Sequence, residues 1–139
     1  MSDPKNLNIG DELVAAEFGP LTIIDTVRWA GVQENSERVH FDREFVRENS
    51  RLPTFIASGG YRQALLVRTL TDRIGLRGKL LKLRVRHIAP TFEGDMLRCF
   101  ARVTEKSDRD GGTAIACEVE GKNQRDEQVL IGSCVVWVR

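Results

Sequence analysis

The chain has 139 residues and a nearly balanced charge, with 21 basic against 20 acidic residues and a formal net charge of +1. This length matches one ordinary domain. The even mixture of charges does not suggest a basic surface that would bind nucleic acid or an acidic membrane. No apolar run approaches the ~20 residues that a membrane span needs, and the polar first ten residues carry no signal-peptide core. We therefore expect one cytoplasmic domain over residues 1–139, without nucleic-acid or membrane partners.

The cysteines are three in number, and each lies in a strand-like run: Cys99, Cys117 and Cys134. Their spacing is typical neither of a disulfide framework nor of a metal site. We expect reduced, buried thiols that serve core packing, and no bound metal.

The first half of the chain alternates between short elements and loops. Residues 12–18 are predicted to form a strand, which Gly19-Pro20 ends in a turn. Residues 21–30 alternate largely between apolar and polar types and are predicted to form a second strand. A polar loop over 31–39 follows, and then Asp42 is expected to cap a short helical turn over 42–48.

The stretch over residues 51–75 has the long helical pattern around which the remaining elements are expected to wrap. Ser58 is a favoured N-cap, and Gly59 and Gly60 expose the first unpaired backbone N–H groups of the helix to another molecule. At about 100° per residue one stripe is expected to face the core, with Arg62 and Arg68 away from it. The stripe comprises Gln63, Leu66, Val67, Leu70 and Ile74.

After this helix the period changes from helical to alternating. Four strands are predicted, over residues 81–88, 97–103, 113–120 and 129–138, with turns between them that favour successive hairpins. Two strands, a long helix and four consecutive strands indicate an α+β fold, in which an antiparallel sheet is covered by the helix.

Three short motifs together resemble the MaoC-like acyl-CoA hydratases and dehydratases, which have the hot dog fold. The family has an aromatic-Ala pair, a loop of the form Asp-x-Asn-Pro-x-His-x-Asp, and Ile-Ala-x-Gly at the helix start. This chain has Trp29-Ala30, then Asn35 to Asp42 with His40 in the histidine position, then Ile56-Ala57-Ser58-Gly59. The spacing is kept throughout, and RHIAPTFEGDML over residues 86–97 resembles the family's Pro and Gly-Asp-x-Leu segment.

The resemblance implies a hydration mechanism in which an Asp and a His hold a water against the β-carbon of an enoyl thioester, while a glycine N–H at the helix start polarises the thioester carbonyl. His40 matches the catalytic histidine and Gly59 the oxyanion glycine. A positioned acid or base contributes ~10² to 10⁴ in rate, and an oxyanion donor roughly 2.7 to 4 kcal/mol.

The loop departs from the family at the catalytic Asp, where this chain has Asn35. An amide holds a water by hydrogen bonding but accepts no proton at neutral pH. Two explanations are open. Either Glu34 or Glu37 reaches the same water with its carboxylate, or the chain is the non-catalytic subunit of a heteromer whose partner carries the intact Asp and His pair.

Several neighbouring residues are candidates for substrate binding. Ser58 and Gly60 belong to the helix start, and Gln63 is either a satisfied core amide or a substrate contact. The phosphates of coenzyme A are expected to meet arginines such as Arg84 and Arg86.

His87 is predicted to be structural, because it extends an apolar strand face and no motif surrounds it. Asp42 is predicted to be mainly an N-cap. The alternative, purely structural role of Gly59 and Gly60 is to allow tight packing of the helix.

The resemblance therefore favours a hydratase or dehydratase that uses no bound cofactor, with coenzyme A entering as part of the substrate. The second hypothesis is the non-catalytic partner subunit. The third, a hot dog thioesterase, ranks lowest because the core-facing helix stripe has no carboxylate. In each case a homodimer, or a heterodimer with another hot dog subunit, is expected.

Overall fold

A computed structural model describes residues 3–139, and over this range three α-helices and five strands follow one another. The helices are α1 (Ile23–Gln33), α2 (Arg43–Asn49) and α3 (Gly59–Ile74). The strands are β1 (Glu12–Phe18), β2 (Gly78–His87), β3 (Leu97–Arg109), β4 (Gly112–Lys122) and β5 (Gln128–Val138). No helix in the described range is long and apolar enough to cross a membrane.

The five strands form one antiparallel sheet in the order β1-β3-β4-β5-β2, and α3 packs across its inner face. Alternate residues of β3 point to this inner face, where Leu97, Cys99, Ala101 and Val103 are all buried. The α+β prediction with an antiparallel sheet around one long helix is confirmed.

Helix α3 begins and ends as predicted, but its buried stripe is rotated. Ser58 caps the helix by accepting a hydrogen bond from the Tyr61 N–H at 3.1 Å, and Gly75 ends it with a positive φ of 64°. The residues that face the sheet are Arg62, Leu66, Leu70 and Ile74, whereas Gln63 is exposed. The prediction was therefore wrong for Gln63, which is no core amide, and for Arg62, which is 5% exposed.

The predicted strand over residues 21–30 is helix α1. Thr22 and Asp25 form a capping box, in which the Asp25 carboxylate accepts from the Thr22 N–H at 2.8 Å while the Thr22 hydroxyl accepts from the Asp25 N–H at 3.4 Å. Once this first turn is fixed, Ile24 and Val27 lie on the exposed side of the helix. Val27 had contributed to the misleading alternation, whereas Ile24 interrupts it.

The predicted hairpin between β2 and β3 is also absent, because β2 pairs with β5 and β3 pairs with β1 and β4. The connecting residues 88–96 instead cross from one edge of the sheet to the other side. They pass beneath the start of α3, where the Ala57 N–H donates to the Thr91 carbonyl at 2.9 Å. This crossing brings the end of β2 to the helix start.

Candidate functional site

The start of helix α3 presents backbone N–H groups beside small residues. Ser58 is 7% exposed and its hydroxyl is engaged by the cap, so it shapes the turn. Within residues 3–139 the N–H groups of Gly59 and Gly60 meet no acceptor. The unpaired N–H groups and the positive end of the helix dipole together favour an oxygen that carries negative charge.

His87, the last residue of β2, lies directly against this helix start. A Cβ added at Gly59 would be 3.0 Å from both Cδ2 and Nε2 of the His87 ring. Burial lowers the pKa of His87, and the nearby charge of Arg62 lowers it further, so the imidazole is neutral near pH 7. Sequence reasoning assigned His87 a structural role. The alternation along β2 placed His87 correctly on the inner face of the sheet. No local sequence pattern shows that the end of this strand packs against Gly59.

The C-terminal end of α1 covers the other side of the helix start. A Cβ added at Gly60 would be 3.2 Å from the Gln33 amide oxygen and 3.5 Å from Cζ2 of Trp29. Trp29 also packs edge-on against Tyr61, with ring centroids 5.9 Å apart. Gln33 was not a sequence candidate. The two glycines therefore allow close packing and also have unpaired N–H groups, so the geometry accommodates both interpretations of them.

His40 is held in one orientation by the segment that leads into α3. Its Nδ1 lies 2.9 Å from the carbonyl oxygen of Ile56, three residues before Gly59. A carbonyl only accepts, so Nδ1 carries the proton and Nε2 of the neutral ring keeps its lone pair. The Glu37 carboxylate lies 3.6 Å from Nε2. His40 thus has the tautomer that a general base requires.

The loop before His40 carries three polar residues that were candidates for a role beside the histidine, and they differ in how closely they approach it. The Asn35 side-chain oxygen accepts from the Glu37 N–H at 3.0 Å, so Asn35 shapes the turn that carries Glu37. Glu34 is exposed at the end of α1, in the left-handed conformation with φ 52°. Of the two glutamates considered as substitutes for the missing Asp, Glu37 is therefore the one that contacts His40.

Asp42 is an N-cap, as predicted. Its carboxylate accepts from the Phe45 N–H at 2.9 Å and pairs with Arg38 at 2.8 Å. The Phe45 hydrogen bond, followed by the one from Arg38, lowers the pKa of Asp42. The carboxylate is directed to these partners rather than to His40.

Arg62 lies behind the helix start, between α3 and the sheet. Its Nη1 donates to the Ala89 carbonyl at 2.7 Å and, at 3.4 Å, to the Val129 carbonyl, while Nε has no partner among the described residues. Burial lowers its pKa. A guanidinium in this position narrows the space between helix and sheet, where the small cavity lined by Arg62, Thr91 and Asp95 holds about 20 Å³.

The remaining substrate-binding candidates lie away from the helix start. Arg84 and Arg86 point to the outer face of the sheet, because they alternate with His87, which points to the inner face. Gln63 is exposed on α3. The structure therefore brings Ser58, Gly59 and Gly60 together with the unexpected His87, and does not bring Arg84 or Arg86 to them.

The three cysteines are buried, with free thiols, as predicted. Burial raises the pKa of the Cys99 thiol to about 12, which makes it unreactive. Across residues 3–139 no cluster of His, Cys, Asp and Glu could hold a metal ion.

No protein-family model matches the sequence, and the comparison with curated proteins found no match. Solved structures do match. The R-hydratase PhaJ1 from Pseudomonas aeruginosa superimposes with a TM-score of 0.84 at 22% identity, covering 98% of this chain and 84% of the hydratase. A MaoC-like dehydratase from Rhodospirillum rubrum gives a TM-score of 0.77 at 24% identity over 97% and 96% of the two chains. The ChsH1-ChsH2 complex from Mycobacterium tuberculosis matches with a TM-score of 0.77 at 20% identity over 95% and 98%.

These likenesses establish that the chain has the hot dog fold, in which an antiparallel sheet wraps a central helix. The matching structures include (R)-hydratases and MaoC-like dehydratases, which agrees with the resemblance found in the motifs. At identities of 20 to 24% the likeness is one of fold.

Proposed function

We propose that this chain belongs to the MaoC-like family and is an enoyl-CoA hydratase or 3-hydroxyacyl-CoA dehydratase. The observation that carries the proposal is the hydrogen bond from His40 Nδ1 to the Ile56 carbonyl. It fixes the histidine beside the segment that leads into the capped glycines of α3, and it leaves Nε2 of the neutral ring without a proton. A base and a pair of oxyanion donors are the two groups that addition of water to an enoyl thioester requires.

In the proposed hydration step, Nε2 of His40 takes a proton from water while the water oxygen bonds to the β-carbon. The electrons of the double bond move toward the thioester oxygen, which the N–H of Gly59 stabilises. The imidazolium then returns the proton to the α-carbon, and the reverse sequence expels water. Glu37, 3.6 Å from Nε2, stabilises the imidazolium. The step needs no bound cofactor, since coenzyme A is part of the substrate.

His87 is proposed to position the thioester. Its neutral ring lies against Gly59, where we propose that it contacts the bound thioester and excludes water from that side of the helix start. The active unit is proposed to be a pair of hot dog subunits, identical or different.

A second candidate function is the non-catalytic subunit of a heteromeric hydratase. Asn35 in place of the family's Asp favours it, and so does buried Arg62, which narrows the space behind the helix start. The likeness to a chain of the ChsH1-ChsH2 complex supports this alternative. A thioesterase has less support, because Asp72 is the carboxylate of α3 and it is exposed, with Arg68 3.6 Å away.

The test is hydration of crotonyl-CoA and of longer or branched enoyl-CoAs by the purified chain, followed at the enoyl absorbance. We expect His40→Ala to lower kcat/KM by ~10² to 10⁴, the range of general acid–base catalysis. Asn35→Asp is expected to raise the rate, because it restores a second proton acceptor. Release of free thiol would instead indicate a thioesterase.

Gly59→Ala tests the helix start, and Gly31→Ala is its matched control. The added methyl at Gly59 would meet the His87 ring, whereas at Gly31 it meets nothing within 4 Å. We expect about a hundredfold loss for Gly59→Ala, the usual effect of misplacing a reacting group by about 1 Å, and little change for Gly31→Ala. A folded chain without activity on any substrate, and with activity restored by a co-expressed subunit that carries the Asp and His pair, would favour the second function.

A further inference from the structure

The outer face of the sheet carries two columns of opposite charge on either side of β5. Arg84 and Arg86 project from β2, and Glu118 and Glu120 project from β4. Between them β5 contributes the shorter side chains of Ile131 and Ser133. The four charged residues and Ile131 line an open groove of about 550 Å³, which Phe100 and Arg102 of β3 also line beyond β4.

The register of the sheet places the two columns at the same height. Ser133 is the pairing partner of both Arg84 and Glu118. Ile131 is likewise the partner of both Arg86 and Glu120. Since neighbouring strands are about 4.8 Å apart, each column lies one strand spacing from β5, on opposite sides of it.

These charges are largely unused within the described chain. Over residues 3–139, Arg84, Arg86 and Glu118 form no ion pair, and all three are exposed. Glu120 lies 3.4 Å from Lys122 and accepts a hydrogen bond from Gln128. An isolated basic column would attract an anion, and an isolated acidic column a cation. Because the two columns lie close together, the acidic column would repel an anion bound to the arginines, and the basic column would repel a cation bound to the glutamates.

We propose that a second copy of this chain docks on this face, with the two sheets back to back. A half-turn about an axis parallel to β5 exchanges the β2 side with the β4 side and preserves height along the strands. Glu118 of each copy then faces Arg84 of the other, and Glu120 faces Arg86. The arrangement is self-complementary, as a twofold interface requires.

The dimensions suit this contact. Sheets that pack face to face lie about 10 Å apart with nearly aligned strands, a gap that one arginine and one glutamate side chain span together. The short side chains of Ile131 and Ser133 lie on the axis and leave room for the longer ones to interdigitate. This interface does not depend on the proposed function, and it gives Arg84 and Arg86 a use other than binding coenzyme A.

The test compares the mass in solution of the wild-type chain and of Arg84→Glu/Arg86→Glu, by light scattering after size exclusion. Like charges would then face each other across the interface, so we expect the variant to have half the wild-type mass. Because exposed ion pairs are screened by salt, the wild type is expected to shift toward the same half mass at high ionic strength.

Complementation separates this contact from a general effect of charge. Glu118→Arg/Glu120→Arg should also have half the mass, and an equimolar mixture of the two variants should recover the wild-type mass. Arg47→Glu/Arg51→Glu changes the net charge equally at exposed positions away from the groove, and should keep the wild-type mass.

Two results would overturn the proposal. One is an arginine variant with the same mass as the wild type, which would leave only an association through sheet edges or none. The other is a loss of mass that the mixture does not recover. Circular dichroism checks that each variant is folded, and Arg84→Gln/Arg86→Gln replaces the arginine variant if that variant is not.

Discussion

The structure contains two hydrophobic clusters with different neighbours. The larger lies between α3 and the sheet and is built from buried side chains of β1, β3, β4, β5 and the helix, with partly buried side chains of β2 packed against them. The smaller consists of Leu21, Val46, Phe55 and Ala57, beneath α1, α2 and the loops that precede α3. The elements over the smaller cluster carry His40, Asn35 and Glu37. The larger cluster is therefore the scaffold, and the smaller one supports the candidate catalytic loop.

The distribution of unpaired polar atoms follows this division. Of the buried side-chain nitrogen atoms that lack a partner in the described range, three lie around the start of α3: Trp29 Nε1, Arg62 Nε and His87 Nδ1. An unpaired buried polar group costs about 1 to 3 kcal/mol, so such groups persist where water or a ligand meets them. Within residues 3–139, most of the buried side-chain nitrogen atoms without a partner thus lie where the two clusters meet.

The same substitution in each cluster measures this difference. Leu66→Ala in the larger cluster is expected to lower the free energy of unfolding by about 2 to 5 kcal/mol, since Leu66 is fully buried and its neighbours cannot collapse into the cavity. Leu21→Ala should fall at the low end of that range, because few buried residues surround it and the loops above can relax. Urea denaturation measures both changes in the free energy of unfolding, provided that the variants and the wild type have the same m-value.

Leu76→Ala is the control for that pair. Leu76 is fully exposed, so its truncation should change the free energy of unfolding by no more than about 0.5 kcal/mol. A Leu21→Ala cost equal to or above that of Leu66→Ala would show that the layer over the candidate loop is as rigid as the sheet core.

Removing the capping box of α1 is expected to cause the next largest loss of stability. Thr22→Ala removes the hydroxyl that both accepts from the Asp25 N–H and donates to the Asp25 carboxylate at 2.7 Å, and should cost about 1 kcal/mol. Asp25→Ala should cost a similar amount. Because the two residues act as one cap, the double variant should cost less than the sum. Additive costs would mean that two independent contacts, rather than a box, start the helix.

The sheet elements were predictable because a strand records its environment in every second residue. The bounds of β1 matched the prediction, and the buried face of β3 was identified residue by residue. Helix α1 was missed for the converse reason. Its apolar residues Ile24, Val27 and Val32 are exposed, so its hydrophobic pattern does not record which side is buried. The Thr22 to Asp25 spacing was the local signal that could have identified it.

The candidate site was predictable only where the motif spacing reached. His40 and Gly59 followed from short segments, and Ser58 from its cap chemistry. The contact of His87 with Gly59 depends on β2 pairing with β5 rather than with β3, and on where that strand ends. Such a pairing joins residues far apart in the chain. No periodicity within either segment encodes it.

The smallest expected effect concerns His87 and the pH dependence of stability. Burial and the charge of Arg62 lower its pKa in the folded chain below the ordinary value near 6.5, so the unfolded chain binds the proton more readily. This contribution to stability is fully present above that ordinary value and is lost as the pH falls through it. His87→Gln, which cannot take up the proton, should lose less thermal stability between about pH 7.5 and pH 5.5 than the wild type does. Melting temperatures of both proteins at the two pH values measure this effect. If His87→Gln and the wild type lost the same thermal stability, the His87 ring would take up its proton against Gly59 at no cost in stability. The close packing of the ring on the helix start argues against that result.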